Sequence, residues 1–158
     1  MNSKNYAFKE LKNKNDKGDF IEFLRHQTTA EYGGHQIFDG RRSHLLHIPE
    51  ELADFLFFLK QHEKKSGKKI KKFLEIGFSS GKTNTILNKF FNFEQIVAAD
   101  NFTAHISTND LWANLMRKKL VLISGNSDDK KIINTVEKFQ PFDLIFVDGS
   151  HEYKDVKN

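Results

Sequence analysis

From residue 70 onward, short apolar runs alternate with runs of helical spacing, and this alternation leaves few folds open. "KKFLEIG" (71–77), "QIVAAD" (95–100), "LVLISG" (120–125) and "FDLIFVDG" (142–149) have the length and composition of strands. Between them, "KTNTILNKFF" (82–91), "STNDLWANLMRKK" (107–119) and "DDKKIINTVEKF" (128–139) read as helices, the second capped by Ser107 or Thr108. "HEYKDVKN" (151–158) reads as the opening of one more. Apolar strands separated by helices predict an α/β, doubly wound, mostly parallel sheet with helices on both faces.

The chain ahead of this segment has a different character. "FIEFLRHQ" (20–27) and "PEELADFLFFLKQHEKKSG" (49–67) are predicted helices. The second has Pro49 in its first turn, Glu50 and Glu51 at the positive end of its dipole, and Gly67 as its stop. Leu52, Phe55, Leu56 and Leu59 form its apolar stripe. "EYGGHQIFDGRRSHLLH" (31–47) is rich in turn residues and reads as an irregular arm. The expected division is a helical extension or cap over 1–67 and a ligand-binding domain over 68–158.

A turn links the first strand to the next helix: "EIGFSSGKTNTIL" (75–87). It resembles a P-loop, and "LIFVD" (144–148) resembles the strand that holds magnesium in P-loop ATPases. A P-loop, however, places four residues between its glycines so that backbone N–H groups encircle a phosphate. Only three separate Gly77 from Gly81. The rival reading is a nucleoside-binding turn, with a carboxylate about 20 residues on to take the ribose hydroxyls. Asp100 ends the second strand at that distance. Glu75, a negative charge beside the turn, suits a ligand with a cationic centre and no phosphate.

Composition narrows the classes further. The 158 residues include sixteen Phe and no Cys, which fits a globular core and excludes disulfides and thiolate metal sites. No run is long enough to span a bilayer and no signal-peptide pattern opens the chain, so a cytoplasmic location without membrane contact is expected. The net charge of +4 gathers in two lysine clusters, residues 4–17 and "KKSGKKIKK" (64–72). Neither is interleaved with aromatics as a nucleic-acid surface would be, so both read as solvated segments.

"FLEIGFSSGKTN", "IVAAD", "ISGNSDD" and "FDLIFVDGSHEYKDV" together resemble the successive motifs of class I S-adenosylmethionine-dependent methyltransferases. The resemblance is nearest to the branch of catechol O-methyltransferase-like enzymes and cephalosporin hydroxylase-like proteins, and Asp148-Gly149-Ser150-His151-x-Tyr153 is its most specific part. It implies a Rossmann-like domain with S-adenosylmethionine as cofactor. Gly77 and Gly81 would lie against the amino-acid part of the cofactor, and Glu75 near its ammonium or sulfonium. Ser79 stands where many members carry the middle glycine of the turn. Asp100 would take the ribose diol, with Asn101 beside the adenine and Ser127 and Asp128 at the adenine edge. Asp148 would face the transferred methyl; in some members the matching Asp ligates a divalent cation such as magnesium. The strands that would carry the other ligands come later in that fold.

His151 is the candidate general base for a hydroxyl acceptor, or else a solvent-facing residue at a helix start. His35, His44 and His47 lack paired carboxylates at ligand spacing and are not read as a metal site. Trp112 belongs with Leu111, Leu115 and Met116 on an apolar helix face. The arm with Arg41 and Arg42 is expected to close over the cofactor or over an acidic acceptor.

The expected activity is methyl transfer to a hydroxyl on a small molecule or sugar. Two alternatives stand beside it: a P-loop-like NTPase or kinase using Lys82, Thr83 and Asp148, and a nucleoside-binding module without turnover. The fourth strand is apolar on both faces and should be central, whereas the strand expected at its far side would lie beyond residue 158. The chain is therefore expected to lack the C-terminal strands, to be a fragment inactive alone, and to associate, including with a second copy, through that edge.

Overall fold

A computed structural model describes residues 13–25, 47–79, 81–102 and 119–149. The chain divides into two compact units between Ser66 and Gly67. In the first, α1 (Lys17–Arg25) packs on α2 (Pro49–Ser66). α1 begins three residues earlier than its apolar residues suggest, because the Asp16 carboxylate accepts the Asp19 N–H at 2.9 Å and caps the helix. Phe20, Phe23 and Leu24 of α1 are buried, as are Leu52, Ala53 and Leu56 of α2. Phe20 stacks on Phe23 with ring centroids 5.9 Å apart and lies 6.0 Å from Phe57. At the surface, Lys17 pairs with Asp54, and Arg25 donates to Glu50 at 2.6 Å and to Glu22 at 2.5 Å. Glycine ends α2: Gly67 has a φ of 71°, a left-handed exit that favours glycine.

The second unit is an α/β sheet. Its elements are β1 (Lys72–Ile76), α3 (Lys82–Phe91), β2 (Gln95–Asp100), β3 (Leu120–Ser124), α4 (Lys130–Glu137) and β4 (Leu144–Val147). The four strands lie in the order β3-β2-β1-β4, and every pairing is parallel. The chain thus winds outward from β1 through β3, then returns to the other side of β1. That reversal is the switch point of a doubly wound sheet, and ligands of such folds bind beyond the strand ends there.

Side-chain alternation assigns the two faces. Leu74, Val97, Ala99 and Ile123 form one buried cluster with Ile132 of α4, and Val136 of α4 packs against it. Phe73 and Ile96 face the other way, and the Phe73 ring stacks on Phe93 with centroids 4.8 Å apart. Glu75 is on that second face and meets α3 through Asn84. Helices therefore lie on both faces, as the pattern of apolar runs predicted. Among the described residues β4 pairs with β1 alone, the open far edge expected for this strand, and Ile145 and Val147 are exposed. Apart from Lys119 and His47, the helix expected over 107–119 and the arm over 31–47 lie outside the described residues, as does the helix opening at 151.

Candidate functional site at the strand ends

The site is built around the turn between β1 and α3. Two of its glycines are fixed by the protein's own packing. Gly77 has a φ of 92°, and a Cβ there would fall 2.2 Å from the backbone oxygen of Asp148. The turn thus lies directly against the end of β4, where the Asp148 N–H also donates to the Ile76 carbonyl at 2.7 Å. Gly81 has a φ of 76°, and a Cβ there would fall 2.3 Å from the buried ring of Phe78. The turn folds over that ring. Ser79, at the position of a frequent glycine, has a φ of 47° and adopts the left-handed geometry glycine accepts most readily.

Asp100 has a structural role that its spacing alone did not reveal. Its Oδ2 accepts the N–H groups of Phe78 and Ser79 at 2.7 and 2.8 Å. Its Oδ1 accepts the N–H of Phe102 at 2.6 Å, and Phe102 has a φ of 56°. The carboxylate thereby ties the glycine turn to the exit of β2 and holds two non-glycine residues in left-handed geometry. A carboxylate has about four acceptor positions. Three are used here, which leaves one for a ligand hydroxyl.

Three carboxylates gather at these strand ends. Register places Ala98 of β2 and Phe146 of β4 beside Glu75, so Asp100 and Asp148 each lie two residues further on in the neighbouring strands. Glu75 is 1% exposed, and Asn84 Nδ2 donates to its Oε2 at 2.8 Å. Burial pushes the Glu75 carboxyl up to about 8; the Asn84 hydrogen bond opposes this, while the charges of Asp148 and Asp100 add to it. The Oδ1 of Asn84 is itself buried without a hydrogen-bond partner. Asn84 was not singled out in the sequence, because an amide in a helix that also carries Thr83, Thr85 and Asn88 gives no distinct signal.

Asn101 and the loop after β3 form the far side of the site. Gly125 N–H donates to the Asp100 carbonyl at 3.0 Å, and the side chains of Asn101 and Asn126 are joined at 3.1 Å. Ser127 and Asp128 are exposed in the turn leading into α4. The cap of that helix is the next residue, Asp129, whose Oδ1 accepts the Lys131 N–H at 2.8 Å. The turn, Asp100, Asn101 and Asp148 therefore converge, whereas Ser127 and Asp128 lie along the outer rim. His151 lies outside the described residues.

The donor set fits a cationic nucleoside better than a phosphate: carboxylates dominate, and two turn N–H groups already serve Asp100. It offers less to a metal. Among the described residues no group of three His, Asp or Glu side chains is placed to hold a metal ion. No described helix is long and apolar enough to cross a membrane.

No family model matches the chain, and no curated protein does. Among solved structures it is similar to a protein of Pyrococcus horikoshii described as a candidate RNA methyltransferase, with 9% identity and a TM-score of 0.49. The alignment covers 89% of this chain and 64% of that one, so the chain spans somewhat under two thirds of that protein's length.

Proposed function

We propose that the second unit binds S-adenosylmethionine and serves methyl transfer to a hydroxyl on a small-molecule or sugar-type acceptor. The finer reading, the branch of catechol O-methyltransferase-like and cephalosporin hydroxylase-like proteins, is carried by the string from Asp148 to Tyr153. The observation that supports the reading most is the arrangement of Asp100. It spends the turn's N–H groups on an internal carboxylate and leaves one acceptor position toward the mouth. An NTPase would need those N–H groups for phosphate, so the P-loop alternative loses its central element.

When bound, the cofactor supplies a methyl group on a cationic sulfur. The chain's own residues do the rest. Asp100 and Asp148 make the strand ends attractive to a cation, whereas the buried Glu75 carboxyl, expected from sequence as a negative charge, keeps its proton up to about 8 and adds no charge near neutral pH. Asp100 accepts a ribose hydroxyl, and Asn101 flanks the base with Ser127 and Asp128 further out. Asp148 orients the acceptor hydroxyl, and His151 takes its proton. Methyl transfer needs little beyond in-line positioning, and these residues would supply it. A nucleoside-binding module without turnover would share the first part of this arrangement and lack the last.

Titration calorimetry with S-adenosylhomocysteine tests the assignment. Asp100→Ala is expected to weaken binding by about 1–3 kcal/mol, the range for a lost hydrogen-bonding partner. Asp148→Asn should leave affinity within about 1 kcal/mol, since its contacts are to the acceptor. Equal losses in both variants would move Asp148 into the cofactor site; no loss in either would remove the site from these strand ends.

A further inference from the structure

Backbone N–H groups at a strand-to-helix turn are the usual cradle for phosphate, because they point outward together beside the positive end of the helix. In this chain the cradle is present. Ser79 is left-handed, and its N–H and that of Phe78 converge on one point. α3 follows at once, with no side-chain cap and no acidic residue in its first turn. The point of convergence is occupied by Oδ2 of Asp100, brought in from the neighbouring strand. An anion therefore already sits in the cradle, and it belongs to the protein.

We propose that Asp100 is a specificity-determining residue that acts by exclusion: its carboxylate fills the anion-binding cradle of the glycine turn and bars phosphate-bearing ligands from it. A phosphate entering there must break two charge-assisted hydrogen bonds and approach a fixed like charge at close range. A cationic or uncharged ligand meets neither obstacle. The same residue thus separates S-adenosylmethionine from ATP, which share the adenosine portion and differ in the charge at its 5′ end. This rests on the reading of the turn as the ligand-facing part of the site, and it identifies the residue that occupies the two converging N–H groups of the turn.

The test is phosphate binding to the full chain, wild type against Asp100→Ala, followed by calorimetry with inorganic phosphate and with ATP near neutral pH. Circular dichroism verifies the fold, and Asp100→Ser serves as a second, less disruptive neutral variant. Emptying the cradle is expected to tighten phosphate and ATP binding roughly 10- to 100-fold, the worth of one or two hydrogen bonds to a charged group. S-adenosylhomocysteine affinity should fall in the same variants. These opposite signs separate exclusion from simple damage, which lowers both. A folded variant that binds phosphate no better than wild type overturns the proposal. So does wild type binding phosphate as tightly as the variants, or loss of the fold in both, which would make Asp100 a brace alone. Absence of S-adenosylhomocysteine binding to wild type would defeat the methyltransferase reading, while the phosphate comparison would still decide this one.

Discussion

Glu75 is held out of water, with an amide as its hydrogen-bonding partner and two carboxylates close by, so its charge is costly. Its proton is retained in the folded chain up to about 8, whereas the unfolded chain releases it near 4.5. Folding therefore takes up a proton between those values, and stability from this group is full below about 4.5, falls as pH rises to about 8, and is flat above. Glu75→Gln keeps the shape, cannot ionise, and offers a donor to the unpartnered Asn84 Oδ1. Its thermal unfolding should show a growing advantage over wild type across that window. Parallel curves for the two proteins would mean that Glu75 is not buried as described. Gly77 gives a second residue-level expectation. Gly77→Ala adds a methyl 2.2 Å from the Asp148 oxygen in a left-handed backbone, and should cost about 1–3 kcal/mol in denaturant unfolding. A neutral result would show that the turn and the end of β4 are not in contact.

The elements of the second unit were legible to different degrees, for local reasons. α3 and β2 have the bounds that the sequence suggests. α3 is bounded by left-handed residues, Gly81 and Asn92, both types that favour such ends. α4 is shorter than its apolar spacing implies, because Asp129 turns back to cap it and leaves Asp128 outside. Asp129→Ala should therefore destabilise the unit by about 0.5–2 kcal/mol, and Asp128→Ala by much less, in urea titrations. Equal effects would contradict the cap. Asp143 was invisible to pattern reading, since nothing local marks a carboxylate whose partners lie some seventy residues earlier. Its Oδ2 accepts the N–H groups of Lys71 and Lys72 at 2.9 and 2.8 Å, which fixes the start of β1 against β4. The same limit hid the bracing role of Asp100: spacing identifies a strand-end carboxylate, but not the turn N–H groups it accepts.

At the scale of the molecule, the strand order β3-β2-β1-β4 brings the β1 turn, Asp100 and Asp148 to one end of one sheet, from segments widely separated in the chain. Periodicity foretold a parallel sheet with two covered faces. The order of its strands is not carried by periodicity and is visible only in the fold, and the placement of Glu75, Asp100 and Asp148 follows from that order. Under the proposed function, an acidic mouth over a turn whose donors are already used should accept a positively charged adenosyl ligand and refuse a polyphosphate. The direct measurement is calorimetry of the unmodified chain with S-adenosylmethionine and, separately, with ATP and magnesium. Saturable binding of S-adenosylmethionine with ATP at least about tenfold weaker, a difference of about 1.4 kcal/mol, is the result predicted. Tight ATP–magnesium binding without S-adenosylmethionine binding would contradict it.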